Sequence, residues 1–283
     1  MKENLTHYPN HDKLNSVRFL GLDVHLPVFL FTSGLTILFS SLVLIFPEPS
    51  TELLSDTRNF VLNWFDTLFK KEVYRFLKVG IQTVVGPAIS SLLFLAVFSL
   101  ALGRSVEQIN NVNLAEFIAP GLIMMTMLQN SFANAASSIG QSKFQGNIVD
   151  ILMAPLSEYE LAIGYVFGAL ARGVICGFVT YLGIILFVPL TVYSYSALLF
   201  YSFMGCLMMG SMGTMVGIWA DKWDQQQGIT NFIVLPLTFL SGTFYSISRL
   251  PEFWQNFALF NPFFYNIDGF RYAFIGQSDS QLI

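Results

Sequence analysis

Long runs of apolar residues, free of charge and separated by short polar stretches, dominate the pattern along this chain. Such a run crosses a bilayer as a helix once it reaches about 20 residues. The first covers residues 26–46 and stops at Pro47-Glu48-Pro49; it would span about 30 Å. Five more follow at 79–102, 117–139, 161–188, 196–220 and 229–247, the last with Pro236 as an expected kink. The third run turns polar and small through Gln129, Asn130, Asn134, Ser137 and Ser138, so its second half should face protein or water rather than lipid. Ser157 and Glu160 form a capping box that predicts the start of the fourth.

Two segments carry a different pattern. Between the first two spans, Val61, Phe65, Leu68, Phe69, Val73, Phe76 and Leu77 share one helical face, and Lys70, Lys71, Arg75 and Lys78 the other. A bulky apolar face opposite a basic one predicts a helix lying in the membrane interface. From Arg249 onward the chain is aromatic but interrupted by Pro251, Pro262, Asp268 and Arg271, which leaves no run long enough to span. An interfacial or re-entrant pair of short helices is expected there. The fold class predicted is an all-α integral membrane protein with about six transmembrane helices, the interfacial helix and this C-terminal pair.

Composition agrees: 54% of the 283 residues are hydrophobic and 11% charged, against about 25% charged in soluble domains. The Lys and Arg side chains form no long basic stripe, which sets nucleic acid aside as a partner. Their distribution predicts that residues 47–78, 140–160 and 221–228 lie in the cytoplasm and the tail from Arg249 outside. Cys176 and Cys206 sit inside apolar runs, as packing residues, and the polar N-terminus shows no cleaved signal. The chain has no Gly-x-x-x-x-Gly-Lys-Ser/Thr sequence, and all three histidines precede the first span. No catalytic residue, metal ligand or cofactor is therefore expected. A transport role would draw its energy from another subunit.

The segment Gly140 to Glu160 exposes Phe144, Ile148, Ile151, Leu152 and Met153 on a short cytoplasmic helix, which suggests a docking surface. The plainer alternative packs these side chains on the protein's own interfacial helix. In the fourth span Arg172 carries a charge that needs pairing, hydration or snorkelling, and Glu72, the acid on the apolar side of the interfacial helix, is a candidate partner. Gly164/Gly168, Gly173/Gly177 and Gly213/Gly217 have the spacing of close helix contacts, with packing inside the chain favoured over a dimer seam. The methionines at 204, 208, 209, 212 and 215 could line an adaptable path, with ordinary packing as the safer assumption. Asp268 and Arg271 could pair three residues apart at an external gate or as a simple interfacial ion pair.

Five ordered motifs then resemble the type-2 ABC transporter permeases: KKEVYRFLKVGIQ (70–82), PGLIMMTMLQNSFANAA (120–136), residues 141–156, WADKWD (219–224) and NPFFYNIDGFRYAFIG (261–276). The resemblance covers residues 67 to about 277. It implies that 141–156 is the coupling helix that fits a cleft on a separate ABC ATPase, with Phe144, Gly146, Asp150, Ile151, Leu152 and Pro155 at the contact. It also implies a permease homodimer in the cell (inner) membrane, exporting through the dimer interface. The family pattern has one more span after the last motif, for which no counterpart is expected here. Residues 21–64 resemble instead the start of betaine/choline/carnitine transporters. The expected organisation is a polar tail (1–25), a leading span and linker (26–66) and a permease domain lacking its last span (67–283). A secondary carrier of quaternary ammonium compounds, or a non-transporting fragment, are the alternatives.

Overall fold

The computed structural model describes residues 16–19, 22–25, 66–102, 108–109, 112–154 and 156–280. The leading span at 26–46, the linker and Pro155 lie outside the described residues. Ser16–Phe19 (β1) pairs antiparallel with Leu22–His25 (β2), and Gln108–Ile109 (β3) with Val112–Asn113 (β4). The rest of the described residues are mostly helix, as the apolar pattern predicts.

Helix α1 covers residues 66–78, and after one turn residue the chain continues through a π-turn, Ile81–Val85, into α2, Gly86–Leu102. The inner face of α1 is Leu68, Glu72 and Phe76, one above the other at four-residue spacing, while Lys70, Lys71 and Lys78 stay exposed. The central element is α3, Leu114–Phe144, about 46 Å long. Asn113 caps its start. A turn at Gly146, whose φ of 78° lies in the left-handed region that glycine alone enters freely, leads to the short α4, Ile148–Leu152. Next comes α5, Glu158–Ile184, whose start has the expected capping box: Ser157 Oγ accepts from Glu160 N and Glu160 Oε2 accepts from Ser157 N. Then follow α6, Tyr195–Trp219, and α7, Trp223–Ile229.

Among the described residues, three stretches are long and apolar enough to cross a bilayer: Ile81–Ala101, Glu158–Ile184 and Tyr195–Trp219. Their outward side chains include Leu93, Val97 and Leu100 on α2, Phe178 on α5 and Leu199 on α6. An apolar surface of this extent belongs against lipid. Helix α3 is wrapped by α5, α6 and the last helix, Pro262–Ile275, so Asn130, Asn134 and Ser138 are buried, as expected of its polar half. Ile118, Leu122, Met124, Leu128 and Phe132 of α3 form the core with Cys206 and Met209 of α6.

The sixth span differs from its expected range. Helix α7 runs through a π-turn, Thr230–Val234, into α8, Leu235–Phe239, and the rod stops there rather than at 247. Gly242, at φ 73°, starts the turn that follows. Both π-turns end two residues before a proline, Pro87 and Pro236. A proline ring clashes with the carbonyl four residues earlier, and the wider turn relieves that clash. At Pro87 the carbonyl so displaced is that of Thr83, which accepts the Cys176 thiol at 3.4 Å.

The C-terminal pair is α9, Glu252–Leu259, and α10, Pro262–Ile275. They part company in environment. Helix α9 exposes Phe253, Trp254 and Phe257, the composition of a membrane interface, whereas α10 is buried against α3 and α6. Gly269 of α10 meets the Tyr201 ring so closely that a Cβ would not fit.

Candidate coupling site and transport groove

One end of the bundle gathers the close of α3, the whole of α4, the start of α5 and the α6–α7 loop. It is the end that charge counting expects in the cytoplasm. Helix α4 buries no residue. Val149 (55% exposed), Leu152 (66%) and Met153 (78%) form its open apolar surface, with Asp150 and Gly146 also exposed. Ile148 and Ile151 are half-buried, and Phe144 turns inward to meet the Trp223 ring edge-on, centroids 6.0 Å apart. The expected outward patch is thus narrower than its sequence suggests and lacks Phe144. The alternative packing on α1 does not occur among the described residues, because the face that α1 buries goes to α3 and α5: Leu68 lies against Gly164, and Glu72 against Gly168 and Ser138.

The candidate pairing of Arg172 with Glu72 is not formed. Arg172 Nη2 donates to Asn130 Oδ1 at 3.1 Å. Glu72 is fully buried and takes a nearer cation, with Arg75 Nη2 at 3.1 Å and Nε at 3.2 Å, while Ser138 Oγ donates to its other oxygen at 2.7 Å. Arg75 Nη2 also donates to the Asn134 side chain at 2.8 Å and its backbone carbonyl at 3.0 Å. So Arg75 does not belong to the solvated basic face where the helical wheel puts it; the buried carboxylate draws its flexible guanidinium inward. The result is a polar knot fixing α1 to α3 beneath α5. Glu72 among apolar neighbours was the signal for it.

Between α2, α3 and the α7–α8 rod lies a groove of about 360 Å³. Ser90, Ser91, Thr126, Gln129, Asn130 and Thr230 supply its polar side, and Phe94, Met125, Phe132 and Val234 its apolar one. No charged side chain lines it. Ser91 and Thr126 share a hydrogen bond of 2.7 Å, and Gln129 Nε2 donates to Thr238 Oγ1 at 3.0 Å. The amide of Asn130 is held between the Thr126 carbonyl and Arg172. The methionines of α6 take no part: Met208 and Met209 are core and Met215 is exposed. Trp219 and Trp223 lie at the α6–α7 loop and Trp254 on α9, so no tryptophan cage forms among the described residues. The paired glycines of α5 and α6 all receive side chains or backbone of this same chain, such as Met127 at Gly177 and the Phe132 carbonyl at Gly213.

At the opposite end Asp268 and Arg271 do meet, at 3.8 Å, but both are buried. Asp268 accepts from the Ser278 and Ser280 hydroxyls and from the Asp279 and Ser280 amides, at 2.7 to 3.0 Å. Arg271 donates to the Gly242 carbonyl at 2.6 Å, lies 3.8 Å from Asp279 and stacks 3.9 Å over the Phe117 ring. This geometry is a lock on the tail and the turn after α8, with neither side chain open to the outside as a gate would require.

A helical membrane bundle with a short exposed helix at one end and an uncharged polar groove along its spans suits a transport subunit. The ABC-2 type transporter family model matches residues 64–275, and the chain belongs to that family, as a permease subunit of an ABC transporter. It is 36% identical over 217 residues to "Inner membrane transport permease YadH" of Escherichia coli (strain K12), covering 77% of this chain and 85% of the relative. It is 23% identical over 221 residues to "Nodulation protein J" of Rhizobium leguminosarum bv. viciae, covering 76% and 83%.

Proposed function

We propose that this chain is the membrane half of an ATP-driven exporter, working as a multi-pass homodimer in the inner membrane with a separate ATPase seated on α4 at each subunit. The observation that carries this reading is the exposed Val149–Leu152–Met153 surface beside Asp150, on a helix with no fully buried residue. An apolar patch kept on a polar loop calls for a partner. The family match supports the ATPase as that partner, and the name of the E. coli relative supports the inner membrane. Gly146 and Ile151, with Pro155, frame the contact, and ATP is bound and hydrolysed by the partner. The uncharged groove is one wall of the export path, completed by the second copy, and the resemblance of residues 21–64 to betaine/choline/carnitine transporters adds a leading span before the family part.

Co-purification with a co-expressed ABC ATPase subunit tests the docking assignment. Leu152→Glu or Met153→Glu places a charge in a surface that must desolvate, at a cost of about 2 kcal/mol or more, and is expected to reduce ATPase capture at least about tenfold. Capture unchanged in both variants refutes it.

A further inference from the structure

Three side-chain positions at the end of α3 face the same way, and none has a role in the reading above. Gly140, Lys143 and Phe144 stand at i, i+3 and i+4 and grip the α6–α7 connection. Lys143 Nζ donates to the carbonyls of Ile218 and Ala220 at 2.8 Å each and lies 3.0 Å from Asp221 Oδ1. Asp221 is 81% exposed, so the two carbonyls at the close of α6, where the helix dipole is negative, do most of the holding. Phe144 meets Trp223, the first residue of α7, and Gly140 has the Gln226 carboxamide so close that a Cβ would not fit. The loop itself is stiff, because Gln225 Oε1 accepts from the amides of both Asp221 and Lys222.

We infer that Lys143 is a positioning residue which makes α4 and the α7–α8 rod move as one body, delivering displacement at the ATPase contact to the groove wall at Thr230 and Val234. The path is short. Two residues beyond Phe144 the chain turns at Gly146 into α4, and seven beyond Trp223 the rod reaches Thr230 at the groove. Helix α4 itself has no fully buried residue that could substitute for the grip. The inference rests on the docking of the ATPase at α4.

The test uses the assembled complex with its ATPase, carrying Thr230→Cys as a reporter; the two native cysteines are buried and do not compete for a maleimide. Trapping the ATPase with nucleotide is expected to change the labelling rate at position 230 about fivefold or more. In Lys143→Met the change should shrink below about twofold, with ATPase still captured and still hydrolysing ATP, while Ser90→Cys on the opposite wall keeps its response. Lys143→Arg should restore the response at position 230. Should Lys143→Met fail to accumulate, Trp223→Ala removes the ring contact and is expected to give the same loss. A nucleotide response at position 230 that persists in Lys143→Met, or in Trp223→Ala where that variant is used, overturns the inference, as does a native complex with no response. A native chain that captures no ATPase refutes the docking reading instead.

Discussion

Removal of Glu72 offers the sharpest check on the packing of α1. Its carboxylate is fully buried and is the acceptor for both Arg75 and Ser138. Glu72→Ala would leave the Arg75 guanidinium, 27% exposed, with Asn134 as its acceptor, and the Ser138 hydroxyl without Glu72. Breaking one side of a buried ion pair costs about 3–5 kcal/mol, and the part-exposed Arg75 puts this case near about 3. Glu72→Gln keeps an oxygen for Ser138 and the shape against Gly168, so the loss should fall to about 1 kcal/mol, the difference between charged and neutral hydrogen bonds. The double variant Glu72→Ala/Arg75→Ala removes the stranded charge and should cost less than the two single losses together by at least about 1 kcal/mol. Denaturant titration of detergent-solubilised protein, read by tryptophan fluorescence, measures all four. A Glu72→Ala loss within about 0.5 kcal/mol of zero, or strict additivity with Arg75→Ala, would falsify the knot.

The same cycle with Arg172→Ala should instead be additive with Glu72→Ala, because Arg172 is held by Asn130; a coupling above about 0.5 kcal/mol would contradict the geometry. Gly146→Val forces a β-branched residue into the left-handed region and should lower ATPase capture by misdirecting α4, with a stability loss of about 1–2 kcal/mol in the same titration. Gly213→Leu pushes a side chain into the Phe132 carbonyl of α3 and should destabilise the bundle by about 1–3 kcal/mol, or abolish accumulation in membranes. Asp268→Ala strips four hydrogen bonds from the 278–280 tail and leaves Arg271 with the Gly242 carbonyl and Asp279; protease susceptibility of the 278–280 segment should rise strongly, and an unchanged digestion rate would count against the lock.

Much of this architecture is written in local signals. The start of α5 needs only capping chemistry, so Ser157 with Glu160 fixes that boundary within the helix's own first turn. The glycine pairs likewise announce close approach, though not which neighbour fills the space. What sequence leaves dark depends on partners far away in the chain. Arg75 reads as one more basic residue until Asn134, 59 positions on, is placed beside it. Phe144 reads as exposed until Trp223 covers it. The early stop of the α7–α8 rod follows from Gly242 and from Arg271 holding the Gly242 carbonyl, a contact across 29 positions.

Helix α3 shows why hydropathy and burial must be read separately. It is the most enclosed of the long helices, yet the three described stretches that qualify as spans by length and apolar composition do not include it. Hydropathy measures what a helix shows to lipid, and α3 shows lipid very little. Released from that demand, it can carry Thr126, Gln129, Asn130, Asn134 and Ser138, side chains that would be costly against hydrocarbon but are hydrogen-bonded here by α1, α2, α5 and α8. The polar residues that make it a poor span by composition are those that line the groove at one level and tie down α1 at the next. In a permease, a long helix too polar for its position is therefore the place to look first for buried polar contacts between spans.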